Sequence, residues 1–244
     1  MKRVYREVAW RAAGQGFEVI LDGRPLRTPA RHAMALPSEA LALAVAQEWD
    51  AQTDEIRPQT MPLTRLVATA IDRVAVRRAE VAAELESYGA SDLVCYRAEA
   101  PVELIARQRE LWQPLVDWVR VRYDAALTVT SGVIPVTQPE MALAALYAAL
   151  SPLSALELMA LHTVTTATGS LVIGLAVLEG EWAGEAAWAA GLADELYMFE
   201  VWGEDHEAKQ RHDALKRDIL AAERLLDMMG RRLPLGALAA PRNR

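Results

Sequence analysis

The chain has 244 residues, of which 52% are hydrophobic and 24% charged. That excludes wholesale disorder and allows one large domain or two small ones with a real buried core. Lys and Arg total 26 against 33 Asp and Glu, a net charge of -7. This balance argues against non-specific nucleic-acid binding, which needs a basic footprint to displace counterions.

The N-terminus, Met1-Lys2-Arg3-Val4-Tyr5-Arg6-Glu7, has no apolar run after its basic start. It therefore does not read as a secretory signal, and a bacterial, cytoplasmic protein is expected. Residues 1–36 read as strands. Val4, Arg6, Val8 and Trp10 alternate with Tyr5, Glu7 and Ala9, and a turn follows at Gly14-Gln15-Gly16. Phe17 to Leu21 continues the alternation, and Asp22-Gly23 is a strong hairpin signal. The returning strand, Arg24 to Thr28, carries Pro25, which suits an edge position. Ser38 is a candidate N-cap for a helix carrying Leu41, Val45, Glu48, Trp49 and Gln52 on one face. Residues 54–62 read as a linker, punctuated by Pro58 and Pro62.

From Leu63 the pattern becomes helical. Helices are expected over 63–72 and 74–88, with a break near Gly89. Cys95, in Leu93-Val94-Cys95-Tyr96, reads as a small buried hydrophobe, and as the one cysteine it cannot form an intrachain disulfide. Pro101 suits a first helical turn, and the helix it opens carries Pro114, which should kink it. Thr137 with Glu140, and Ser154 with Glu157, resemble capping boxes.

Residues 158–178 contain no Asp, Glu, Lys or Arg. The length, about 20 residues, matches a bilayer span. However, His162, four threonines, Gly169, Ser170 and Gly174 interrupt the stretch. Gly169-Ser170 reads as a break between two helices buried in a bundle, so membrane insertion is not expected. A last long helix, beginning near Glu204, carries the stripe Leu215, Ile219, Ala222, Leu226 and Met229. Residues 231–244 read as a loose tail.

The chemistry-bearing motifs are missing. There is no phosphate loop, no dinucleotide fingerprint and no nucleophile elbow. The histidines are His32, His162, His206 and His212. His206 and His212 lie six apart and point in different directions on a helix, so no metal or other cofactor is expected, nor a small-molecule substrate. The alternative is a small hydrolase, metal-dependent or metal-independent, working from segment 195–213. It requires Glu195, His206 and His212 to line one cleft.

The informative stretch is 180–208. It holds Glu181, Glu185, Asp194, Glu195, Glu200, Glu204, Asp205 and Glu207 with no Lys or Arg, interleaved with Trp182, Trp188, Tyr197, Phe199 and Trp202. Rings supply contact area and carboxylates steer toward a basic partner, so the pattern suits a protein-binding surface. The plainer alternative is a solvated helix face with aromatics in the core.

Residues 197–213, Tyr-Met-Phe-Glu-Val-Trp-Gly-Glu-Asp-His-Glu-Ala-Lys-Gln-Arg-His-Asp, resemble the most characteristic segment of the assembly chaperones of the F-type ATP synthase alpha subunit. Further segments agree in order: the hairpin 17–29, Met61-Pro62-Leu63-Thr64-Arg65-Leu66, Asp92-Leu93-Val94-Cys95-Tyr96-Arg97-Ala98, and the run from Gln108 through Trp112 and Pro114 to Trp118. The resemblance spans roughly residues 5–230. It implies an α+β fold, with a small antiparallel β-rich N-terminal domain (1–60) and a larger, mostly α-helical C-terminal domain (61–230). It also implies no catalysis and no cofactor. The implied partner is the unassembled alpha subunit, whose beta-facing surface would be shielded until the ring forms. An acidic position of the C-terminal domain matters in the family. Carried over, it falls among the residues around Trp202. The candidate rim is Glu195, Glu200, Glu204, Asp205 and Glu207, with Trp202-Gly203 as either a corner between helices or a direct contact. Tyr96-Arg97 is a candidate brace between the two domains.

Overall fold

The computed structural model describes residues 2–203 and 205–231, so the expected tail, Arg231 apart, lies outside the described residues. The N-terminal sheet is a meander, β1 (Val8–Ala13), β2 (Gly16–Leu21) and β3 (Arg24–Pro25), antiparallel in the order β1-β2-β3. Val8 faces Leu21 across the first pair and Ala13 faces Gly16. Asp22 and Gly23 both take positive φ, 46° and 79°, which matches the twist a two-residue hairpin needs. Pro25 does lie on the edge strand.

The strand expected from Val4 starts only at Val8, because residues 3–7 have other bonds to make. The Arg3 guanidinium donates to the backbone carbonyls of Asp50 and Gln52, and the Tyr5 hydroxyl donates to Trp49 O at 2.6 Å. Both satisfy the carbonyls that α1 (Glu39–Asp50) leaves open at its C-terminus. Ser38 caps the other end of α1, accepting from Leu41 N at 3.2 Å.

Next come α2 (Pro62–Thr69), a π-helical turn (Ala70–Val74) and α3 (Arg78–Ala90). α3 ends at Ala90, so the break expected near Gly89 falls one residue beyond that glycine. A Cβ at Gly89 would sit 3.1 Å from a Leu171 methyl and 3.3 Å from the Tyr147 ring, so the glycine serves close helix approach. After β4 (Tyr96–Arg97), α4 (Val102–Tyr123) runs unbroken through Pro114. β4 pairs in parallel with β5 (Thr130–Ser131). Arg97 donates to Gln108 O and lies over the buried Trp112 ring, while Tyr96 accepts from Val136 N. The Tyr96-Arg97 pair therefore braces the 128–136 loop against α4, and these contacts reach no residue before position 61.

The helical part continues with α5 (Glu140–Ala148), α6 (Ala155–Thr168), α7 (Leu171–Leu178), α8 (Gly184–Gly191), α9 (Ala193–Trp202) and α10 (His206–Met228). The box expected at Thr137 does not form, because Pro139 takes the N-cap position of α5. The box at Ser154 forms fully, with Glu157 returning to Ser154 N at 2.7 Å. Gly169 ends α6, and Ser170 caps α7. Every residue of α7 is buried, and among the described residues no helix is long and apolar enough to cross a membrane. The charge-free stretch is thus the centre of a bundle. One apolar core joins the two parts of the chain, from Val19 and Leu41 through Leu63 and Trp112 to Ile219 and Leu226.

Glu48 is nearly buried on α1 and shows how the parts are fastened. Its carboxylate accepts from Leu63 N and Thr64 N at 2.8 Å each and from the Thr64 hydroxyl at 2.7 Å. The residue before α2, Met61, offers no side-chain cap, so Glu48 caps α2 from another helix. Glu48→Ala would strand those donors inside the junction. We expect a stability loss of about 2–4 kcal/mol in urea unfolding, partly recovered by Glu48→Gln, which can still accept one bond.

Candidate partner-binding face

The acidic, aromatic segment singled out from sequence folds into α8, α9 and the start of α10. Gly203 ends α9 with φ 88°, a region that favours glycine, and no atom lies near enough to obstruct a Cβ there. Asp205 then caps α10, its carboxylate accepting from Glu207 N and Ala208 N at 2.9 Å each. Trp202-Gly203 is therefore a helix-to-helix corner, and Trp202 also stands out from it.

The carboxylates of this segment are mostly paired within the chain. Asp194 accepts from the Gln108 amide of α4 at 2.7 Å. Glu200 meets the two terminal nitrogens of Arg107, also on α4, in a bidentate pair, and Arg107 lies over the Tyr197 ring. Those bonds hold the Glu200 carboxyl below the usual carboxylate range. Glu195 bonds His212 Nε2 and lies 3.3 Å from Arg211, linking α9 to α10. Glu185 meets Lys216 at 2.6 Å, and that ammonium caps the Trp188 ring. The stretch has no cations of its own because α4 and α10 supply them.

Two proposed rim residues have no such tie. Asp205 points into its own helix end, and the Glu207 carboxylate has no bonded partner among the described residues. Glu204 lies outside the described residues. Near this rim in the chain is an apolar face of which the sequence reading named only Trp202: Met198, Val201 and Trp202 are 49%, 50% and 78% exposed. Their i, i+3, i+4 spacing places them together on α9, and that spacing was the available signal. His212 is 2% exposed and stacks on Phe199 with ring centroids 4.6 Å apart, joining α9 to α10.

The hydrolase arrangement does not assemble. Glu195 meets His212, but His206 bonds the Gln210 side chain one turn along α10. Among the described residues no group of three or more His, Cys, Asp or Glu could hold a metal ion. Cys95 is buried, and burial pushes its thiol up to about 12, so it is no nucleophile at neutral pH.

An exposed tryptophan and two aliphatic neighbours thus share α9 with carboxylates whose ion pairs stay largely open to solvent. The comparisons then place the chain. The family model for the ATP12 chaperone protein matches residues 2–120. The crystal structure of Atp12 from Paracoccus denitrificans is 41% identical, with a TM-score of 0.89, covering 93% of this chain and 98% of that one. A protein of Agrobacterium tumefaciens is 40% identical, with a TM-score of 0.88, over 93% of this chain and 86% of that one. The mitochondrial protein atp12 of Schizosaccharomyces pombe is 24% identical over 237 residues, 92% of this chain and 81% of its own length. The chain belongs to the ATP12 family of chaperones, which serve ATP synthase assembly.

Proposed function

We propose that the protein binds the free alpha subunit of the F-type ATP synthase catalytic head in the bacterial cytoplasm. It shields the beta-facing surface until the ring of alternating subunits closes. The observation that carries this reading is the exposed Met198, Val201 and Trp202 face, followed in the chain by Glu207, whose carboxylate has no partner among the described residues. An orphan alpha subunit exposes a large apolar interface, and a chaperone must cover it and then let go. On this reading Trp202 is the anchor, Glu207, Glu204 and Asp205 are the rim, and Glu195 and Glu200 hold α9 in place. Residues 1–60 and 61–230 act as two domains around one client.

The direct test mixes purified protein with unassembled alpha subunit and follows the complex by size-exclusion chromatography and light scattering. A complex that suppresses alpha-subunit aggregation supports the reading. Soluble alpha subunit that neither associates nor is protected would falsify it. Charge reversal gives a finer test. Glu207→Lys should slow association about three- to tenfold at low salt, and the deficit should shrink above 0.1 M, where screening acts within about 10 Å. Stopped-flow rates at two ionic strengths measure it.

A further inference from the structure

Away from α9 and α10, a cavity of about 430 Å³ opens where the return of the hairpin, the end of α1, the segment before α2 and α2 itself meet. Its floor and walls include Met34, Trp49, Ile56 and Met61, and the two charged residues that line it are both cations, Arg27 and Arg65. Among the described residues no carboxylate lines it, although the chain as a whole carries a net charge of -7. Both arginines are exposed. Arg27 is bonded to Arg31 O, and neither is paired with a carboxylate among the described residues. The Trp49 ring forms part of the wall, while its indole Nε1 is turned away from the opening and has no accessible surface.

We propose that this cavity is a second client-docking site, which receives a large apolar side chain from an extended, acidic segment of a protein partner. The apolar walls accept the side chain. The arginines pair with its flanking carboxylates, and the Trp49 ring packs against the inserted side chain. The volume is in the range, about 300–1,000 Å³, of pockets that enclose a ligand group. The cationic rim selects acidic over basic segments. The site would hold a client from the side of the hairpin, while the α9 face engages it elsewhere. The inference rests on the family's chaperone role and does not depend on which subunit the α9 face binds.

The test uses the whole protein, labelled with ¹⁵N at its indoles, with the Trp49 signal assigned through Trp49→Phe. The probes are the peptides acetyl-Asp-Phe-Asp-amide and acetyl-Lys-Phe-Lys-amide. The acidic peptide should shift the Trp49 signal saturably and the basic one should not. The double variant Arg27→Glu and Arg65→Glu should weaken the acidic peptide about tenfold or more and admit the basic one. Ala68→Trp, placed on the cavity wall, should abolish both. The charge reversals sit at exposed positions, so they test the idea even if the filled cavity does not fold. Equal shifts with both peptides, no shift with either, or a shift that survives folded Ala68→Trp would each overturn it.

Discussion

Asp92→Ala should be the most damaging single substitution in the chain, costing on the order of 4 kcal/mol and leaving little soluble protein at 37 °C. Asp92 is fully buried. Its carboxyl accepts from the Ser170 hydroxyl at 2.5 Å, from Val172 N at 3.0 Å and from Val94 N at 3.2 Å. It thus caps the wholly buried α7 from a turn 78 residues away and holds that turn shut at the same time. Alanine would leave three donors unpaired in the core. The ionised group has a cost of its own, since burial pushes Asp92 up to about 6 from an ordinary value near 3.8. A carboxyl that holds its proton more tightly folded than unfolded makes stability fall as pH rises, here between about pH 4 and pH 6, and leaves it flat above. The fall is on the order of 3 kcal/mol if Asp92 acts alone. Urea unfolding at pH 4.5 and pH 7.5 reads it against Asp92→Asn, which cannot ionise. Matching pH slopes in the two proteins would mean that the fall belongs to other groups.

What was legible in the sequence was local. Asp22-Gly23 had to turn because adjacent residues there need positive φ, and Ser38 and Ser154 had to cap because each places its hydroxyl beside amides three residues on. Gly169-Ser170 had to divide the charge-free stretch into two helices. What stayed hidden was tertiary pairing. Arg107 and Glu200 are 93 residues apart, and nothing in the local pattern of either names the other. The acidic stretch therefore looked more unpaired than it is. Glu48 illustrates the same limit. Its place on the apolar face of α1 could be read, but the amides of α2 that explain it could not. The helix end read near Gly89 came one residue later, at Ala90, but the close approach of Leu171 and Tyr147 that requires a glycine there could not be read from the letter. The Met198, Val201 and Trp202 face was within reach, since it follows the same spacing that marked the buried stripe of α10. That spacing alone does not say whether a face meets core or solvent.

Trp202→Ala should leave the fold almost untouched and still weaken alpha-subunit binding by about 2–4 kcal/mol, roughly 30- to 1,000-fold in Kd. The two halves of this expectation have one cause. A side chain 78% exposed gives up little packing in the free protein, so the melting temperature should stay within a degree or two. In a complex the same ring is the largest apolar area that α9 offers, and it sits on a formed helix just before the end at Gly203, so its backbone needs little ordering on binding. The loss should appear in the dissociation rate, whereas Glu207→Lys should act on association, because an anchor resists leaving and a rim charge guides approach. Met198→Ala, at a site 49% exposed in the neighbouring turn, should weaken binding less, and Glu200→Gln should act chiefly by loosening α9 from Arg107. Surface-bound alpha subunit and a concentration series of each variant separate the rates. If Trp202→Ala binds within twofold of the unaltered protein while Glu200→Gln fails, the client is held by the α4–α9 groove rather than by the corner, and the anchor must be sought there.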